Sequence, residues 1–114
     1  MSRIECDRSA FHKHAVEALE GDESYLRAGG IALLERIGST KDAALIVERL
    51  SDSDKSIVYA ASKTLAIIGG PREVVAMEAW LSGPVYAEDK QMRAQVKKSR
   101  DELSERLAKI PKPH

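Results

Sequence analysis

One cysteine, one tryptophan, one phenylalanine and three tyrosines are all that 114 residues contain of those types. Cys6 stands alone, so no disulfide can close within the chain, and a reducing compartment is the simplest setting. With so few aromatics, Ala, Leu, Ile and Val must fill the core, which suits packed helices better than a β-sandwich. Neither sign of charge is in excess: 18 basic residues balance 18 acidic ones. That balance argues against a chain whose main business is coating nucleic acid or an anionic membrane, while leaving room for a local patch. No apolar run approaches the roughly 18 residues of a membrane span. The opening Met1-Ser2-Arg3-Ile4-Glu5-Cys6-Asp7 lacks the apolar stretch of a secretory signal. A soluble, cytoplasmic protein is the expectation. What is present is 43 % hydrophobic residues, enough for one continuous core in a single domain over residues 1–114.

That apolar content is periodic. A slide of 31 residues places Leu34 on Leu65, Ile37 on Ile68, Gly38 on Gly69, Leu50 on Leu81 and Ser51 on Ser82. Leu26/Ile57, Lys41/Arg72, Asp42/Glu73 and Ile46/Met77 match in kind, and the small pair Gly29-Gly30 meets Ala60-Ala61. A fixed period of this size is the mark of a stacked repeat.

Helical spacing and punctuation divide the chain into six helices. Residues 1–6 read as a flexible lead-in. A first helix follows over Asp7–Glu20, capped by Asp7 or Ser9, with Phe11, Ala15, Ala18 and Leu19 on one stripe. The second runs from Asp22-Glu23-Ser24 to Ile37 with Leu26, Gly30, Leu33, Leu34 and Ile37 inward, and Gly38 stops it. Ser39-Thr40 cap a third, which buries Ala43, Ile46, Val47 and Leu50. Asp52 and Asp54 form a turn and the next N-cap. The fourth helix, Lys55–Ile68, buries Ile57, Ala61, Leu65 and Ile68. After Gly69-Gly70, Pro71 opens a fifth to Leu81, with Val74, Met77 and Leu81 inside. The last helix, Glu88–Lys109, carries a narrow stripe of Met92, Val96, Leu103, Leu107 and Ile110 under a charged coat, as a terminal repeat needs. Residues 111–114 read as a frayed tail.

The unit Asp52-x-Asp54-x-x-Ile57, Ala60-Ala61, Leu65, Ile68-Gly69 and a helix to Leu81 resembles the short bacterial HEAT-like repeat, of the kind also found in phycobilin lyases. The preceding unit supplies Asp22, Leu26-Arg27, Gly29-Gly30, Leu34, Ile37-Gly38 and Leu50. Where the family places a valine-arginine pair, Leu26-Arg27 follows it and Ile57-Val58 departs from it. Any inter-repeat ion pair of that arginine is therefore missing from the second unit. The resemblance implies an all-α, right-handed short solenoid of about six antiparallel helices. Two clear repeats, Leu26–Leu50 and Ile57–Leu81, are flanked by degenerate ends, with Arg100 standing where a leucine is expected. It also implies that the second helix of each pair lines a concave side.

From that register comes a candidate partner-binding strip: Lys41, Leu45, Glu48 and Arg49 on the third helix, with Arg72, Ala76 and Trp80 on the fifth. Trp80 occupies the position that the previous repeat gives to Arg49. If Arg49 faces solvent, Trp80 should be at least partly exposed, and Trp and Arg are the residues enriched in interface hot spots. Packing of Trp80 under the last helix is the competing reading.

No catalytic, cofactor or metal constellation stands out. His12 and His14 lie about 200° apart on a helix and cannot share a metal, so both read as solvated surface residues. Cys6 has no base within reach and reads as an inert thiol. Asp52, Asp54, Asp22 and Glu23 lack the length, the central Gly and the final Glu of a calcium loop. Gly69-Gly70-Pro71-Arg72 is not a phosphate loop but helix punctuation. Lys90, Arg93, Lys97, Lys98 and Arg100 form a basic run with no acid among them, either a solvated cap helix or a nucleic-acid footprint. The expectation is a non-enzymatic adaptor or inhibitor that offers a concave ridge to a protein partner, as a monomer or weak homo-oligomer. A nucleic-acid binder using the basic helix, and a lyase- or glycosylase-type enzyme of the same architecture, stay open.

Overall fold

The computed structural model describes residues 3–37 and 40–109, with side chains from residue 10 onward. Helix α1 spans Arg3–Leu19, α2 Ser24–Ile37, α3 Ala43–Val47, α4 Lys55–Ile68, α5 Pro71–Ser82 and α6 Lys90–Ala108. The third helical region is not one α-helix: tight 3-10 turns at Thr40–Asp42 and Glu48–Ser51 flank α3. A five-residue helix has almost no interior, so its ends tighten to satisfy backbone groups that would otherwise lack partners. Helix α1 begins at Arg3, upstream of the Asp7 or Ser9 expected to cap it and within the expected lead-in. The Gly38 stop, the Ser39 cap, Ile110 and the 111–114 tail lie outside the described residues.

Helices α2, α4 and α6 form one row, and α1, the third helical region and α5 lie against it. Between helices that follow one another in sequence, the extensive packing is of α1 on α2, of α3 with its following 3-10 turn on α4, and of α5 on α6, while α4 also packs along α6 and α2. This pairing is offset by one helix from the sequence repeat. Its cause is visible at Gly30, where a Cβ would stand 2.7 Å from the Ala15 carbonyl oxygen and 2.9 Å from the Leu19 nitrogen. Gly29 has open space around its Cα, so only one of the two glycines answers a packing need.

The core is one cluster that runs through all six helical regions. It holds Ala15 and Leu19, Ile31 and Leu34, Ala43, Ile46 and Leu50, Ile57, Val58, Ala61, Leu65 and Ile68, Met77 and Trp80, and Met92, Val96 and Leu103. Leu26, expected inside, is 42 % exposed, whereas its equivalent Ile57 is 1 % exposed. Helix α4 has α2 on its flank, and the corresponding flank of α2 has no helix among the described residues. Along α6, Met92, Val96, Ser99 and Leu103 are buried. Arg100, at the place of Leu65 counted from the N-cap, is only partly covered, as its departure from the repeat implies.

Candidate functional site

A helix leaves its last four carbonyls without intrahelical partners. In this stack the next repeat supplies donors to them. Arg49 Nη1 donates to the Leu19 carbonyl at 3.0 Å, and Trp80 Nε1 donates to the Leu50 carbonyl at 2.7 Å. Donor and acceptor both move by one repeat, 49 to 80 and 19 to 50, so the two contacts are the same contact made twice. The equivalence read from the sequence is therefore right, and the exposure inferred from it is not. Arg49 is partly covered, and Trp80 is 7 % exposed with its N–H turned inward. Above the indole ring sits the Arg93 guanidinium, 5.6 Å from the ring centre, a cation–π contact. Arg93 also donates to the carbonyls of Val85 and Leu81.

Arg27 shows the ion pair that the second unit lacks. Its Nε reaches Asp52 Oδ2 at 2.8 Å and its Nη2 reaches Oδ1 at 2.9 Å, a two-pronged bond of the kind guanidinium geometry favours. Its Nη1 donates to the carbonyls of Gly21 and Asp22, both at 3.0 Å. Burial acts to raise the Asp52 pKa, but the hydrogen bonds from Arg27 and the Asp54 amide outweigh it and hold the carboxyl below its ordinary range. The same bond raises the Arg27 pKa. One repeat on, Val58 replaces Arg27 and Gly83 replaces Asp52, so both halves of the pair are lost together. Val58 is fully buried instead. Asp52 thus does more than the turn expected of it: its backbone carbonyl also accepts from the Tyr86 hydroxyl at 2.6 Å.

Other residues singled out by the sequence are likewise structural. Asp54 caps α4, accepting from the Ser56 amide at 2.9 Å and the Ser56 hydroxyl at 2.7 Å. Glu73 folds back to accept from the Gly70 amide at 2.7 Å, which makes the Gly-Gly-Pro segment a helix start. His12 is not free in solvent: its Nε2 lies 2.7 Å from Oδ1 of the buried Asp42. His14 is exposed. Among the described residues no three His, Cys, Asp or Glu side chains come together as a metal site would require. Arg106 donates to the Ala66 carbonyl at 3.0 Å and to the Gly69 carbonyl, tying the last helix to the end of α4.

The strip proposed from the sequence is consequently divided. Lys41, Glu48 and Arg72 are exposed, Leu45, Arg49 and Ala76 are half-buried, and Trp80 is inside. The basic run of α6 is divided too, since Arg93 serves the Trp80 corner and Arg100 pairs with Asp101 at 2.8 Å. Lys97 and Lys98 stay exposed. Beside α6 an open groove is lined by Lys90, Arg93, Lys97 and Arg100 together with the apolar Leu81, Ala87 and Ala94.

A family model of HEAT repeats matches residues 13–96. The chain belongs to the HEAT-repeat family. Its match covers both units and the first part of α6, the same stretch over which the carbonyl contacts link one repeat to the next. No curated protein and no solved structure matches the chain. Membership brings an all-α repeat architecture, a scaffold commonly used for protein interaction. No helix of the described residues is long and apolar enough to cross a membrane. Three contributors to this HEAT stack escaped the sequence reading: Tyr86, Arg106 and the His12–Asp42 pair. Tyr86 has φ of 50°, a left-handed conformation that a large side chain seldom takes, and it sits three residues after Gly83 in the α5–α6 turn.

Proposed function

We propose that this HEAT-repeat chain is a non-enzymatic protein-interaction module, an adaptor or inhibitor, that holds an acidic amphipathic segment of a protein partner in the groove beside α6. The observation that carries this reading is the combination of Lys90, Lys97 and Arg100 with the apolar Leu81 and Ala94 in the lining of one groove. Charged groups steer and orient a partner, and apolar ones supply the burial that gives affinity. A rigid helical stack keeps these groups in place before binding, which lowers the ordering cost. The central ridge is a weaker candidate because its aromatic anchor holds the fold together.

A nucleic-acid reading draws on the same bases, and the apolar part of the lining favours a peptide over a sugar-phosphate backbone. The test is capture from host lysate, with and without nuclease treatment, by wild type, Lys97→Glu with Arg100→Glu, and Lys41→Glu with Arg72→Glu. Loss of a captured protein with the α6 variant alone is the expected result. Equal capture by wild type and the α6 variant, or capture that nuclease abolishes, would overturn it.

A further inference from the structure

We infer that two copies of this chain associate through the outer face of α2, with the two α2 helices antiparallel. This surface is separate from the α6 groove and does not depend on it. Tyr25, Leu26, Gly29, Ala32, Leu33 and Arg36 recur at helical spacing and share one side of α2. Among them Tyr25 is 70 % exposed, and Leu26, Gly29, Ala32 and Arg36 are exposed as well. The matching positions of Leu26, Gly29 and Leu33 in the second repeat are Ile57, Ala60 and Thr64, of which Ile57 and Thr64 are buried. Thr64 donates to Glu35 of α2 at 3.0 Å, so this flank of α4 is covered by α2. The first repeat therefore presents as surface what the second uses as a seam.

The face fits itself. At its C-terminal end lies a cleft of about 320 Å³ lined by Phe11, Leu33, Arg36 and Ile37, with Phe11 55 % exposed. At its N-terminal end stands the exposed Tyr25, about 16 Å away along the helix axis. An antiparallel partner that crosses between Gly29 and Ala32 brings its Tyr25 over the cleft and its cleft under the first copy's Tyr25, which is the reciprocity a two-fold contact requires. Gly29, with nothing within 4 Å of an added Cβ, lets the backbones meet at the crossing. Charge agrees: Asp22 and Glu23 at one end of the helix approach Arg36 of the other copy, and the phenol meets the guanidinium. A head-to-tail contact does not fit, because the opposite end of the stack exposes Lys97, Lys98, Asp101 and Glu102. Burying those charges against Tyr25 and Leu26 would leave them unpaired.

Sedimentation equilibrium from low to high micromolar concentration tests the pairing on wild type, Gly29→Arg, Tyr25→Ala and Lys97→Glu. Wild type and Lys97→Glu are expected to pass from monomer to dimer. Gly29→Arg is expected to stay monomeric with an unchanged helical circular dichroism spectrum, since its side chain enters open space in the single chain. Tyr25→Ala should raise the dimer dissociation constant about 30-fold, as loss of an aromatic hot spot does. Wild type that stays monomeric throughout, or folded Gly29→Arg that dimerises as wild type does, would overturn the inference.

Discussion

The two repeats solve one problem with different chemistry. Each must satisfy a carbonyl at the C-terminal end of the preceding second-row helical element, and each does so from the same register position. The first uses Arg49 on Leu19, and the second uses Trp80 on Leu50. Around Arg49 the neighbours are polar, with Asp52 Oδ2 at 3.8 Å and the Arg27–Asp52 pair alongside. At Trp80 the ring is stacked under Arg93, and the register position of Arg27 is taken by the buried Val58. The repeat position fixes where a donor must point, and the depth of the site decides whether a guanidinium or an indole carries it. Repeats coupled in this way gain stability from their shared interfaces, so the contacts between units should govern cooperativity.

The largest effect should come from the deeper site. Trp80→Ala removes a buried aromatic and its hydrogen bond, and should cost about 3–5 kcal/mol in urea denaturation. Arg49→Met keeps the aliphatic stem at a more exposed site and should cost about 1 kcal/mol. Comparable losses at 49 and 80 would break the comparison. Next in size is Asp52→Ala, which leaves Arg27 without its carboxylate and should cost about 2 kcal/mol. The same pair sets a pH dependence. Because the folded-state pKa of Asp52 is lowered, its contribution is complete above the ordinary carboxylate pKa of about 3.9. It is lost as pH falls through the lower folded value. In Asp52→Ala, a thermal melting series from pH 6 to about pH 2 should therefore fall less steeply than in wild type.

Adjacent glycines give a smaller and sharper contrast. Gly30→Ala drives a Cβ into the α1 backbone and should destabilise by about 1–3 kcal/mol. Gly29→Ala meets nothing and should stabilise the chain by up to about 1 kcal/mol through helix propensity. Effects of the same sign would show that the close approach of α1 and α2 does not rest on Gly30.

Much of this arrangement was legible in the sequence because a repeat is read by comparison within itself. Leu34/Leu65, Ile37/Ile68 and the Gly-Gly-Pro break located the helices. Arg27 against Val58 gave the missing ion pair. Burial was harder to read, because it depends on which neighbours exist. Leu26 and Ile57 are equivalent in sequence, yet among the described residues only Ile57 has a helix on that flank. For Trp80 the sequence offered two places, on the ridge if Arg49 faced solvent or under the last helix, and the second is found, because a long side chain such as Arg49 can lie along the surface with its head on a backbone carbonyl. Periodicity could not show that Leu19 and Leu50 offer such carbonyls. The His12–Asp42 pair, thirty residues apart, needed the packing of α1 beside the third helical region.

Trp80 is the only tryptophan, so the chain reports on this corner by itself. The most direct measurement is quenching of its fluorescence by iodide and acrylamide in the folded chain, set against the urea-unfolded chain. Weak quenching and a blue-shifted emission in the native state, both lost on unfolding, are what an indole bonded to the Leu50 carbonyl predicts. Native emission quenched as readily as the unfolded chain's would place the ring in solvent, returning Trp80 to the binding ridge and contradicting the structural role assigned to it.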